Sequence, residues 1–390
     1  MRPELKYLLW SKLLVGVLTG FLLIGLPLYL SDLGLELSEI GSVFGLAMLV
    51  YALISYYLGS YSESSGRLVV GVISIAGMAL SSLFFGIMPL FSVSIALFVF
   101  VISKILFNLS DSILRNIVKI RVLDLTNSEQ LGSNYGFLIF ADSLGHGLGI
   151  LLGGVLVSAI TFQMVFFGLA LLTVVSLFFY LKTGDLQEKS KPEKIFRISN
   201  LINTSWTFKI VLLVNTILLL GIYLVDYFGL PLFQKEVLQM SNEQIFLLLG
   251  TAWLLYALFS YLGGKLYDRY GLKLLLLSLL LIGITSILLA FTRNIVLFSS
   301  LVILDYIFFA FADPARFALA GLVSLKKKGM LMSFFEFFSL LAAALVLLFF
   351  GKLVAIFGFE FIFILRGIGQ FMAIGLMLLI YTRSIKLSNR

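Results

Sequence analysis

Among the ionisable residues inside the long apolar runs of this 390-residue sequence, Lys104, Asp142, His146, Asp226, Asp305 and Arg366 are the candidates for chemistry at membrane depth. In hydrocarbon each would cost about 3 kcal/mol or more, so each needs a partner or a task. Asp142 and His146 are four residues apart and share one helical face. His146 is the only histidine, and imidazole titrates near neutral pH, so the pair can relay a proton or hydrogen-bond within the packing. Asp226 lies near Tyr223 and Tyr227, where a carboxylate can hold a cationic substrate or carry a proton; Arg366 either snorkels outward or pairs with it. Lys104 and Asp305 are the first choice for a substrate or proton site, with a static ion pair as the alternative. Aligning Arg115 with Arg316 puts Lys104 on Asp305 and Phe107 on Phe308. Two related helices would then turn opposite charges toward one cavity. No second histidine or carboxylate cluster suggests a metal site, and no Gly-x-x-x-x-Gly-Lys-Ser/Thr loop suggests a nucleotide. No serine, histidine and carboxylate arrangement recommends hydrolysis. No metal, cofactor or enzymatic activity is expected.

What must position these groups is a membrane. The chain is 61% hydrophobic and 12% charged, against roughly a quarter charged in soluble domains, so lipid is its expected partner over most of the exterior. It has no cysteine, which excludes disulfides, thiolate nucleophiles and cysteine metal sites. The net charge of +8 reads as membrane topology and not nucleic-acid binding, with one hydrophilic stretch and Lys326-Lys327-Lys328 supplying much of the basic excess on one side.

Twelve apolar runs have the length of about 20 residues that a bilayer crossing needs: 9–30, 41–60, 68–89, 92–117, 135–158, 163–182, 209–232, 245–263, 273–292, 295–320, 331–352 and 360–381. They are rich in leucine and alanine and lack the alternation of barrel strands, so they read as helices. The first continues to Tyr29 without a small-residue cleavage site, and is expected to be a span and not a signal peptide. Short connections make successive helices antiparallel neighbours. The hydrophilic stretch 183–208, with Pro192 and room for an interfacial helix at 193–204, divides an N-terminal six-helix bundle (1–182) from a C-terminal one (209–390). With both termini cytoplasmic, most of the 28 lysines and arginines fall on that side of the cell membrane.

The halves repeat. Leu26-Pro27-Leu28-Tyr29 recurs as Leu230-Pro231-Leu232-Phe233, Leu37-Ser38-Glu39-Ile40 is echoed by Met240-Ser241-Asn242-Glu243, and GSYSESSG (59–66) falls where GKLYDRYG (264–271) falls. The common offset of roughly 204 residues points to a duplicated six-helix unit. GKLYDRYGLK, with Gly264, Leu266, Asp268, Arg269, Gly271 and Lys273, resembles motif A of the major facilitator superfamily. Gly59, Glu63, Gly66 and Arg67 form a degraded second copy, with Tyr61 and Ser64 in place of its leucine and arginine. GFLIFADSLGHGLGILLGG resembles that family's motif C, with Gly136, Gly145, Gly149, Gly153 and Gly154 at its glycine spacings and Ile150 in place of its proline. Lys104 is the nearest candidate for the basic residue of its motif B.

The resemblance covers essentially the whole chain and implies an all-α membrane protein of twelve transmembrane helices in two pseudo-symmetric six-helix bundles. It implies a secondary transporter, with motif A as a latch between the halves and helices one, four, seven and ten around a cavity. Arg115, Asp313, Arg316 and Glu336, nearer the cytoplasm, are expected as latch partners. The motif C glycines point to the antiporter branches, hence to proton-coupled efflux of a small, amphipathic substrate by a monomer. Uptake by symport, facilitated diffusion, and a transport-inactive receptor or lipid scramblase on the same fold are the alternatives.

Overall fold

The twelve apolar runs become the helices that fix everything else. The structure, a computed structural model, describes residues 3–32, 34–91, 93–125, 131–184, 205–323 and 328–388. The helices are α1 (Pro3–Asp32), α2 (Leu37–Ser65), α3 (Arg67–Ile87), α4 (Val93–Leu125), α5 (Leu131–Ala159), α6 (Phe162–Leu181), α7 (Trp206–Glu236), α8 (Asn242–Tyr270), α9 (Leu272–Phe291), α10 (Ile295–Val323), α11 (Lys328–Leu348, continued by Phe350–Phe357) and α12 (Glu360–Ser388). Eleven are long and apolar enough to cross a bilayer unaided; α11 does so only if its two pieces, bent by 55°, count as one span. The proposed interfacial helix at 193–204 lies outside the described residues.

Local chemistry sets the ends. Ser241 accepts from the Gln244 amide while the Gln244 side chain accepts from the Ser241 amide, a reciprocal cap that starts α8. At the equivalent start of α2 the Glu36 amide donates to Glu39. The α2–α3 and α8–α9 turns each hinge on one glycine with positive φ, Gly66 at +86° and Gly271 at +57°, conformations that a side chain resists. These two glycines are the paired motif positions seen in the repeat.

Packing repeats as well. In the first half α1 lies on α5 and α6, α3 on α4 and α6, and α2 on α4; in the second, α7 lies on α11 and α12, α9 on α10 and α12, and α8 on α10. Two long seams, α5 with α8 and α2 with α11, join the halves. We call the membrane face where α1 begins and α12 ends the terminal face.

Both seams depend on missing side chains, as helices in lipid do when they approach closely. A Cβ at Gly145 or Gly149 of α5 would sit 2.2 and 2.0 Å from the Leu13 and Val17 carbonyl oxygens of α1, and one at Gly153 would strike the Phe21 ring. On another face of the same helix Gly136 meets Ser260 and Gly264 of α8, Gly147 meets Leu254 and Gly154 meets Phe246. So α5 is stripped on two sides, one for its own half and one for the other. The α2–α11 seam does the same near the opposite face, where Gly351 abuts Ser38.

Gly149→Ala is expected to lower the thermal midpoint of the detergent-solubilised protein by the equivalent of about 1–3 kcal/mol, the cost of overpacking. Gly168→Ala, on α6 with open space around it, is expected to stay within about 0.5 kcal/mol of the parent. Equal behaviour of the two would show that the α1–α5 contact is looser than described.

Candidate functional site

The helices surround a partly open cavity lined by residues of both halves, from Lys12 and Asp142 to Asp305 and Arg366. A second, smaller space shares Asp111, Arg115, His146 and Tyr227 with it. Asp305 lies about 16 Å along α10 and Lys104 about 17 Å along α4 at 1.5 Å per residue, near the middle of each span.

At the centre of the larger cavity one guanidinium serves two carboxylates. Arg366 of α12 stands 3.1 Å from Asp226 of α7 and 2.9 Å from Asp305 of α10, and Thr285 of α9 donates to the second oxygen of Asp305 at 2.6 Å. All three charged groups are buried. Asp226 sits in a π-wound stretch, Ile222–Gly229. Pro231, two residues beyond it, has no amide hydrogen and cannot continue the ordinary ladder, and a wider turn accommodates that break. Of the two options left open for Arg366, the structure shows pairing.

Asp142 and His146 do share a face of α5, but His146 is held elsewhere. Its Nδ1 is 2.8 Å from the Asp142 backbone carbonyl oxygen and 3.5 Å from the carboxylate, its Nε2 is 3.1 Å from the Thr19 hydroxyl, and its ring stacks on Trp253 of α8 at 4.9 Å. The partner of Asp142 is Lys12 of α1, at 3.0 Å. Lys12 escaped the sequence reading because it resembles a basic flank of the first span. In fact α1 begins at Pro3, so Lys12 lies inside the helix and is only 3% exposed.

Asp313 and Arg316 pair with each other, and Tyr256 of α8 donates to Asp313 at 2.7 Å. Arg316 donates to Asn215 of α7 at 2.9 Å, and Asn215 to Ser339 of α11 at 3.1 Å. This network ties four helices of one half and faces the cavity. Arg115 likewise faces the cavity, paired with Asp111 at 2.9 Å and donating to Tyr223 across the halves at 3.5 Å. The motif A turn finds another partner: Asp268 accepts from the amide and the hydroxyl of Ser133, in the first turn of α5. A carboxylate there suits the helix N-terminus, and Gly264 lies against Gly136 beside it. Arg269 and Lys273 are exposed, with Arg269 over the Tyr270 ring. Arg67 is buried, and its carbonyl accepts from Tyr180. The side chains of residues 59–65 and of Glu336 lie outside the described residues, so the Glu63 and Glu336 expectations do as well.

Lys104 and Asp305 are both buried and face inward, but the structure does not bring them together. Asp305 lines the larger cavity and Lys104 the smaller, where its ammonium lies 4.9 and 5.2 Å from the Phe44 and Phe107 ring centroids. The presumed symmetric partner of Lys104 had already been taken by Arg366.

The sequence profile of the Major Facilitator Superfamily matches residues 8–271 and 228–389. The chain belongs to this superfamily. It is 22% identical over 288 residues, 71% of this chain and 72% of the relative, to an uncharacterized MFS-type transporter of Methanocaldococcus jannaschii. Its fold is similar to that of the human organic anion transporter MFSD10, with a TM-score of 0.76, 17% identity and coverage of 96% of this chain and 100% of that one. It is also similar to the proton:xylose symporter XylE (TM-score 0.74, 15% identity, 96% and 95% coverage) and to an outward-facing bacterial homologue of the iron transporter ferroportin (TM-score 0.71, 17% identity, 100% of both chains). This superfamily member is therefore a multi-pass membrane transporter.

Replacing Arg366 by Met would leave two buried carboxylates without a counter-charge, and the thermal midpoint is expected to fall by the equivalent of about 3–5 kcal/mol. Asp305→Asn keeps the Arg366–Asp226 pair and an acceptor for Thr285, and is expected to cost about 1 kcal/mol or less. A melt in which both variants lose equally would contradict the shared guanidinium.

Proposed function

We propose that this transporter is a proton-coupled exporter of a small amphipathic molecule, working by alternating access. The observation that carries the reading is the Asp226–Arg366–Asp305 cluster. Two carboxylates around one cation leave one negative charge uncompensated away from water, and a proton removes that charge at lower cost than the membrane can. The groups facing the pair are Arg366, Thr285 and, from the same cavity wall, Tyr227 and Tyr306. Opening the cavity to water on one face would release the proton, and closing it would favour uptake.

The moving bodies in this reading are residues 1–182 and 209–390, joined by 183–208, with both termini in the cytoplasm of a cell-membrane monomer. The glycine seams allow two tightly packed halves to tilt over one another, and the Asp268–Ser133 bond latches the terminal face. The resemblance of the α5 glycines to motif C is what favours export in this reading. One observation favours uptake by symport instead: Lys104 and the proton cluster line different cavities, so substrate and proton can both be bound at once.

The test uses proteoliposomes containing a trapped pH dye and three probes of one shape, 2-naphthalenesulfonate, 2-naphthalenesulfonamide and trimethyl(2-naphthyl)ammonium, with protein-free vesicles subtracted. At least one probe is expected to move protons, outward for symport efflux of probe or inward against exiting probe for antiport. Asp305→Asn is expected to uncouple probe movement from the pH gradient by tenfold or more. Gradient-independent equilibration by the parent protein would sink the coupling, and no flux of any probe would remove the support for transport of this class of molecule.

A further inference from the structure

The smaller cavity differs from the larger in the sign of its unanswered charge. Lys12, Arg115, Arg316 and Arg366, the other cations lining the two spaces, each have a carboxylate partner. Lys104 has no ion pair among the described residues; its ammonium lies over the Phe44 and Phe107 rings, and the nearby Asp111 carboxylate is paired with Arg115. Aromatic faces return less to a cation than a buried charge loses on leaving water. One turn further along α4, the amide nitrogen of Asn108 is buried with no acceptor. Lys104 and Arg115 stand against the single carboxylate Asp111, so the walls carry one positive charge in excess.

An ammonium has three donors and no acceptor, and an amide nitrogen has two more donors. What is missing between Lys104 and Asn108 is therefore an acceptor that carries negative charge. Much of the rest of the wall is apolar, with Leu23, Met48, Phe107, Phe228 and Leu347, and Thr19, His146 and the tyrosines Tyr51, Tyr223 and Tyr227 add neutral polar groups. Toward the opposite face Phe44, Phe228 and Phe350 pack edge to face, at 5.2 and 4.6 Å. A wall with this much apolar and aromatic surface suits an organic body and not an inorganic ion.

We propose that this cavity binds a monovalent organic anion with an apolar, ring-sized body, its charged oxygens on the Lys104 ammonium and the Asn108 amide. The proposal rests on the chain being a transporter and names the charge of its cargo. The proton cluster beside Arg366 supplies the opposite requirement in the neighbouring cavity. An anion and a proton bound together would leave the hollow with no net added charge, which lowers the electrostatic cost of reorienting it across the bilayer.

The experiment is calorimetric titration of the full-length protein in detergent with the three naphthalene probes used for flux. The sulfonate is expected to bind at least tenfold more tightly than the sulfonamide or the ammonium. Lys104→Gln is expected to weaken the sulfonate at least tenfold, Lys104→Arg to restore most of that loss, and Asn108→Ala to weaken it about threefold, with Gly168→Ala as the unchanged reference. If Lys104→Gln does not fold, the Lys104→Arg and Asn108→Ala affinities decide the matter. Preferential binding of the ammonium probe, or sulfonate binding indifferent to both positions, overturns the proposal and leaves Lys104 as a cation packed on aromatic rings. Sulfonate binding without proton-linked flux would keep this site and remove the coupling reading, so the two failures are distinguishable.

Discussion

Hydrocarbon offers a charge nothing, and that constraint organises the molecule. Every inward-facing charge must be answered by another side chain, by a proton or by a ligand. Most are answered by side chains: Lys12 by Asp142, Arg115 by Asp111, Arg316 by Asp313. Two places are not. Around Arg366 there is one carboxylate too many, and around Lys104 one too few. In a protein whose interior is otherwise closely matched, such imbalances are where a mobile charge has work to do.

The charges hold their places because the helices that bear them cannot slide. Bare glycine faces bring α5 within backbone contact of α1 on one side and α8 on the other. His146 shows what this tight fit does to chemistry. Held between the Asp142 carbonyl, the Thr19 hydroxyl and the Trp253 ring, it joins α1, α5 and α8 at the contact between the halves. A histidine so placed reports on the packing of both halves at once, whether or not a proton passes through it. The glycines that resemble an antiporter motif likewise have a packing contact at every position, so their pattern alone does not separate the two roles.

Much of this was legible in the sequence, because hydrophobic run length, turn glycines and repeat offset are local properties. The spans, the two positive-φ glycines Gly66 and Gly271 and the inward charges on α4, α7 and α10 could all be read directly. Partnership could not. Aligning Arg115 with Arg316 sets Lys104 against Asp305, yet Asp305 pairs across to Arg366 of α12, a choice set by helix rotation in three dimensions. Lys12 was hidden because a lysine near the start of a span reads as a flank until the true helix start is known. Ser133, the partner of Asp268, carried no signal beyond being a small polar residue at the start of α5. The motif turn predicted a latch, and its counterpart had to come from the fold.

The central claim is that two carboxylates sharing Arg366 hold one proton between them when the cavity is dry. Infrared difference spectroscopy reads this directly, because a neutral carboxyl group and a carboxylate absorb in separate regions. The account predicts a protonated carboxyl band in the resting protein at neutral pH that disappears in both Asp226→Asn and Asp305→Asn, since either variant leaves a single ionised partner for Arg366. Absence of that band from the parent protein, or its survival unchanged in both variants, would contradict it.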